Sequence, residues 1–472
     1  MGLIVNGVTI ENIKVINSVT QNETELDVLQ NQHKVVVWNK DTEFISESEG
    51  SIGFVYEGID VNGYLESSES FDGTIVAYAL TDIDNNTFDY NTKSIIVPSV
   101  HNGLEVRKII GGCVFLQSLP NLEEIKLGYN IKTINATGKN YVYDEENGYT
   151  NTSYAAFYFR ENLVKSISIF IPSSVEEIRG YYFMQAYPPT DINIDIICVL
   201  NGNAKLYTYG DGSNQRLIHA PYTNVNYTFI FGEKVTETYV FASYYTQTGT
   251  RQWYGALDGA NKVIFNCKNP IEISQNNFLA GRSVEIEFNN KVSKITGADM
   301  FYDTGKTSLS LPSSLIELSG QNFCSGASSL TSIVFEHAPT DIINIAENKN
   351  IFYVKSATAC NVYTNNQKVV DYNWGHVNRT PTFYYLDETT KWEQLATPTA
   401  AIDGNILTIT GVDNAAYYKV INGGEVILQT TDLSVDLSQY ITTAGSYNIT
   451  VRAFKDGFAG SQPSVAVTYT IS

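Results

Sequence analysis

The sequence predicts a mainly β chain: a solenoid of short stacked repeats, flanked by a small N-terminal β module and a C-terminal β-sandwich. Three observations carry this reading. A hydrophobic pattern recurs at a fixed offset of 23 positions in the middle of the chain. Short runs of Val, Ile, Tyr and Thr alternate with polar residues at both ends. Apolar residues reach 43% and aromatics 12% of the 472 residues, enough core material to exclude a disordered chain.

The charge balance narrows the function classes. Asp and Glu (50) exceed Lys and Arg (30), for a net charge of -20. Counterion release on nucleic acid and attraction to an anionic membrane both need a basic face, so neither partner is expected. No apolar run approaches the ~18 residues of a membrane span. The first 20 residues alternate apolar and polar, with no basic residue before Lys14, so no secretory signal is expected there. The cysteines (Cys113, Cys198, Cys267, Cys324, Cys360) are far apart and form no C-x-x-C. They read as buried free thiols, not as a metal or redox site.

Residues 1–45 read as the N-terminal β module. Leu3-Ile4-Val5, Val8-x-Ile10 and Val35-Val36-Val37-Trp38 are strand-like, and Asn6-Gly7 is a hairpin turn pair. Residues 46–75, with Phe54, Tyr56, Tyr64 and Phe71 among acidic and Gly-containing turns, read as a connecting β segment.

The repeats occupy residues 76–345. FNNKVSKITGADM (288–300) aligns with LPSSLIELSGQNF (311–323), pairing Val292 with Leu315, Ile295 with Leu318, Gly297 with Gly320 and Met300 with Phe323. IPSSVEEIRGYYF (171–183) shares the Pro, both Ser, the Glu, the Gly and the Phe. Such a unit is too short to bury its own apolar face and must stack on its neighbours. The glycines are expected to turn corners, and Phe183 and Phe323 to plug the interior. The stretches 136–156, 185–230 and 242–258 interrupt the period and are expected to be loops or extra strands projecting from one face. These repeats, with IIVPSVHNGLEVRKIIGGCVF (95–115) and NFCSGASSLTSIVF (322–335), resemble the BspA-like leucine-rich repeats. The resemblance implies a parallel-stranded solenoid. The family's alanine before the plug Phe is replaced by Tyr182 and Asn322.

Residues 346–396 read as a β-rich capping region, on the strength of Trp374, Tyr384, Tyr385 and Trp392. TPTAAI (397–402) reads as the start of a linker. The period-two runs of 403–472, with turns at Asn422-Gly423-Gly424 and Lys455-Asp456-Gly457, complete the sandwich in 397–472. This part resembles a fibronectin type III or bacterial Ig-like domain, which implies Tyr417, Leu437 and Tyr447 as core residues.

Catalytic patterns are not found in the sequence. Gly305-Lys306-Thr307 lacks the upstream glycine of a phosphate-binding loop, that position being Met300. Asp82-x-Asp84-x-Asn86 begins like a calcium loop but has Thr87 for the Gly and Lys93 for the final Glu. His33, His101, His219, His337 and His376 have no metal-ligand spacing and read as surface residues. No catalytic residue, metal or cofactor is therefore expected. The aromatics inside the interruptions are the candidate ligand-binding residues: Tyr141, Tyr143, Tyr149, Tyr244, Tyr245, Trp253 and Tyr254. Tyr and Trp offer rigid contact area with a polar tip, and loops on a rigid scaffold carry binding.

The expected function is a non-enzymatic virion protein, tail- or capsid-associated, that binds host surface glycan or protein. Residues 1–45 resemble the heads of phage tail-associated proteins, which implies other virion structural proteins as partners. Self-association into a homo-oligomer is a further expectation. The alternatives are an exported bacterial surface adhesin, a polysaccharide-degrading tail hydrolase and a structural decoration protein without receptor.

Overall fold

The computed structural model describes residues 53–83, 91–110, 119–135, 155–160, 164–180, 182–208, 224–238, 259–276, 284–301, 305–324, 326–346, 360–372, 381–387 and 389–471, with short pieces between them. In residues 1–52 it describes two antiparallel strand pairs, Leu3–Val5 with Val8–Ile10 and Asp27–Asn31 with Lys34–Trp38. The protein is mainly β with several parallel sheets. Among the described residues the α-helix is a single five-residue turn, Gln367–Asp371.

Parallel pairing dominates residues 77–384. A first sheet stacks Ser94–Ile96, Glu124–Lys126, Ser166–Ile171, Ile194–Leu200, Val225–Phe231, Lys262–Phe265 and Glu285–Glu287 in chain order, every step parallel. A four-stranded parallel sheet follows: Ser308–Leu311, Ser332–Phe335, Asn361–Thr364 and Thr382–Tyr384. The strands between them build a second set. It runs from the antiparallel pair Phe54–Ile59 and Ala77–Ile83, through Leu104–Ile110, Thr133–Asn135, Glu177–Gly180 and Lys205–Thr208, to Val240–Phe241. Ile271–Ile273, Val292–Ile295, Glu317–Leu318 and Asn344–Ile345 form the corresponding later sheet.

Alternation decides which residues enter the core. Ile196, Cys198, Leu200, Phe229, Phe231, Val263 and Phe265 face one apolar cluster shared by all these sheets. Each such side chain contributes roughly 1.5–3 kcal/mol on burial. Rings stack along the ladder, Phe231 on Phe265 at 5.1 Å and Phe265 on Phe288 at 5.8 Å. Phe323 is fully buried as a plug, edge-on to Phe301 at 5.1 Å and to Phe352 at 6.1 Å.

The interruptions in the repeat need correcting. Ile194–Leu200 and Lys205–Thr208, which lie within 185–230, and Val225–Phe231, which begins there, are regular steps of the two main sheets. Ala155–Arg160, Tyr182–Tyr187 and Ile218–His219 form a third parallel sheet. Its first two strands do not project outward: Phe157, Phe159, Met184 and Ala186 are buried in the common core. An added strand lengthens the step. Ser166 to its partner Asp195 spans 29 positions, against 23 from Lys262 to Glu285 where a turn at Phe278-Leu279 replaces the strand.

Gly297 and Gly320 stand where the chain leaves a strand for a turn, as expected of corners, but the reason for glycine is not backbone handedness. Gly297 and Gly320 do not have left-handed φ. A Cβ on Gly320 would lie 2.0 Å from the Gly297 carbonyl oxygen, and one on Gly297 would lie 2.1 Å from that of Gln275. Close approach of successive backbones is what selects glycine here.

The connecting segment is organised by Asp60, which is 1% exposed. Its carboxylate accepts from the N–H groups of Asn62 (2.9 Å), Tyr64 (2.8 Å) and Asp72 (3.1 Å). Burial works to raise its pKa, but these donors outweigh that and hold it below the usual value.

Residues 399–471 form two antiparallel sheets over a separate core. One contains Thr399–Asp403, Ile406–Thr410 and Ser434–Asp436; the other contains Glu425–Thr430, Tyr417–Asn422, Gly445–Phe454 and Val467–Ile471. Leu437 is in this core as expected, but Tyr417 and Tyr447 are only half-buried. Tyr418 and Tyr469 are the buried tyrosines, because Tyr418 shares the inward face of Val420. The expected linker is instead structured, since Thr399–Asp403 is already a strand.

The two cores are joined by hydrogen bonds. Leu395 N–H donates to Ala459 O (3.0 Å) and Ala459 N–H to Glu393 O (2.9 Å). Arg452, 4% exposed, donates to the carbonyls of Ser461 (2.7 Å), Asp371 (2.9 Å) and Tyr372 (3.4 Å).

Candidate functional site

Most of the nominated aromatics, Tyr141, Tyr244, Tyr245, Trp253 and Tyr254, lie outside the described residues. Tyr143 and Tyr149 are backbone partners across a short antiparallel pair. Of the capping aromatics, Trp392 is buried, donates its indole N–H to Thr364 O (3.0 Å) and stacks on Tyr385 at 4.3 Å. Trp374 lies outside the described residues.

The groups with chemical potential are mostly structural. Cys198, Cys267, Cys324 and Cys360 are buried and free. Burial pushes the thiols of Cys267 and Cys360 up to about 12, so both are inert at neutral pH. His337 is not a surface residue: it is fully buried, its Nε2 2.6 Å from Leu315 O. Gly305-Lys306-Thr307 leads into the strand Ser308–Leu311, so no helix N-terminus follows to receive a phosphate. Asp84 and Asn86 lie outside the described residues. Among the described residues no cluster of three or more His, Cys, Asp or Glu is placed to hold a metal. Nor is any helix among them long and apolar enough to cross a membrane.

The outward faces of the parallel sheets differ along the chain. On the seven-stranded sheet one register row reads Ile96, Lys126, Phe170, Val199, Ile230, Ile264, Glu287. Its middle forms a second buried apolar cluster with Ile197. Its ends carry ion pairs, Lys126 with Glu124 (2.8 Å) and Lys262 with Glu285 (3.1 Å) and Glu287.

On the later four-stranded sheet the outward rows are uncharged. One is Ser308, Ser332, Asn361, Thr382; the other is Ser310, Val334, Tyr363, Tyr384. Tyr363 stacks on Tyr384 at 5.2 Å and 24°, and Lys391 Nζ lies 5.4 Å from the Tyr384 ring centroid. The sequence reading missed this face. Its trace was the alternation Asn361-x-Tyr363 around inward Val362, which looks like any half-buried strand.

No family model matches the chain, and neither the curated proteins nor the solved structures give a match.

Proposed function

We propose that this chain is a non-enzymatic surface protein of a virion that holds host glycan or protein on a rigid repeat scaffold. In this reading the parallel ladders are a BspA-like leucine-rich-repeat solenoid with a third wall over 155–219. Residues 397–472 are an Ig-like or fibronectin type III-like domain, and residues 1–45 dock to other virion proteins. The supporting observation is the succession of parallel-stranded sheets that share one apolar core between Ala77 and Tyr384. Such a ladder fixes outward side chains at the strand spacing, as a recognition surface requires.

The test has two parts. Mass spectrometry of purified particles should find the chain as a stoichiometric component. The full-length protein should show saturable binding to host cells and release no oligosaccharide from host envelope polysaccharide. Absence of saturable binding overturns the attachment role, and release of oligosaccharide overturns the non-enzymatic one.

A further inference from the structure

We propose that the outward face of Ser308–Leu311, Ser332–Phe335, Asn361–Thr364 and Thr382–Tyr384 is a binding site for a neutral glycan, with the Tyr363 ring as its apolar wall. The proposal deepens the attachment reading and rests on it for the class of ligand.

The first argument is a row of polar side chains with no hydrogen bond to the protein. Ser308, Ser332, Asn361 and Thr382 form one continuous register row. The first is exposed and the others are half-buried. Among the described residues none of these side chains is hydrogen-bonded. The turn residues of the same region, by contrast, are engaged: Thr331 Oγ1 donates to Thr307 O (3.0 Å) and Ser314 Oγ to Val292 O (2.7 Å). Three hydroxyls and an amide, each both donor and acceptor, therefore stand in line at about 4.8 Å per rung. That repeat is close to the advance of an extended pyranose chain.

The second argument is shape. One face of the Tyr363 ring is covered by Tyr384, which Lys391 backs in turn. The other face looks along the ladder towards Val334 and Ser310, whose side chains are much shorter. The register thus steps down from the Tyr363 ring to Val334, leaving the ring as the wall of an open notch. Ser310 Oγ is bonded to Glu336 Oε1 at the far end of the row. A pyranose puts its apolar C–H face on such a wall and its hydroxyls towards Asn361, Ser332 and Ser310. The charged ladder ends of the seven-stranded sheet offer no comparable surface.

The full-length protein is tested by calorimetry and surface binding against cello-, malto-, manno- and chito-oligosaccharides, with host cells in parallel. At least one sugar series should bind. Tyr363→Ala and Asn361→Ala should each weaken that binding about tenfold or more at unchanged melting temperature. Val334→Phe fills the notch and keeps the wall, so it should abolish binding even if Tyr363→Ala unfolds. Sugar binding that all three variants retain overturns this site and leaves attachment intact. Cell binding without binding to any series overturns the glycan assignment and leaves a protein receptor. Loss of both overturns the attachment reading itself.

Discussion

Gly320 shows how much a single position can decide in a stacked chain. Its missing Cβ makes room for the Gly297 carbonyl, and Gly297 in turn makes room for Gln275. A methyl group there cannot be accommodated by a rotamer change, because the obstacle is backbone. Gly320→Ala is therefore expected to cost at least about 2 kcal/mol, while exposed Gln321→Ala in the same turn stays within about 0.5 kcal/mol. Urea unfolding midpoints of the two variants check this; equal midpoints would mean that the turns can separate. The glycine match at a 23-position offset was visible in the sequence, but its cause was not. Sequence shows that a small residue recurs, whereas the carbonyl that it faces belongs to another turn of the chain.

At the scale of elements, two turns reveal a relation that the repeat alignment did not find. Pro189-Thr190-Asp191-Ile192 and Pro339-Thr340-Asp341-Ile342 are each clamped by an asparagine from the next step. Asn224 Nδ2 donates to Pro189 O (3.0 Å) and Ile192 O (2.6 Å). Asn366 Nδ2 donates to Ala338 O and Asp341 O, both at 2.9 Å. Asn366 is also the N-cap of Gln367–Asp371, its Oδ1 accepting from Lys368 N–H (3.0 Å). Asn366→Ala should cost about 2–3 kcal/mol, through the loss of both amide bonds and of the cap, with the Asp341 carbonyl left without its donor while Ala338 O keeps the Asp341 N–H. Asn366→Asp keeps the cap acceptor but turns a carboxylate towards the same carbonyls. It should be at least as destabilising as Ala, and thermal melts of the pair would show whether the clamp or the cap dominates. The strands that were legible are those with a regular alternation, such as Ser308–Leu311 and Gly445–Phe454. Ile194–Leu200 was not, because both its faces are apolar and the period of two disappears. The third sheet was hidden for a related reason: its strands lengthen the step and so break the repeat offset by which units are recognised.

At the scale of the whole molecule, the end of the parallel ladder and the C-terminal module meet at Asp371. Gln367 Nε2 donates to its Oδ1 (3.0 Å) and to Phe458 O (2.7 Å), while Gln367 Oε1 accepts from Gly457 N–H (2.9 Å). Lys419, Arg452, Asp456 and Tyr417 face it from the C-terminal module. Arg452 donates to the backbone carbonyls of Ser461, Asp371 and Tyr372. Burial pushes the Asp371 carboxyl up to about 6, against the pull of Gln367, Lys419 and Arg452. A carboxyl raised above its unfolded value binds more protons in the folded state. Its contribution to stability is therefore lost as pH rises from about 4 through about 6, and the junction should be tighter in mild acid. Asp371→Asn imitates the protonated form at every pH. The variant should melt higher than the parent at about pH 7.5, and the difference should shrink as the pH is lowered to about 5. Hydrogen exchange at the Leu395 and Ala459 amides, which bond across the junction, localises the effect. Parallel melting curves for parent and variant over that range would place the proton uptake elsewhere. A change confined to amides within the ladder would show that Asp371 acts on its own helix and not on the contact between the two cores.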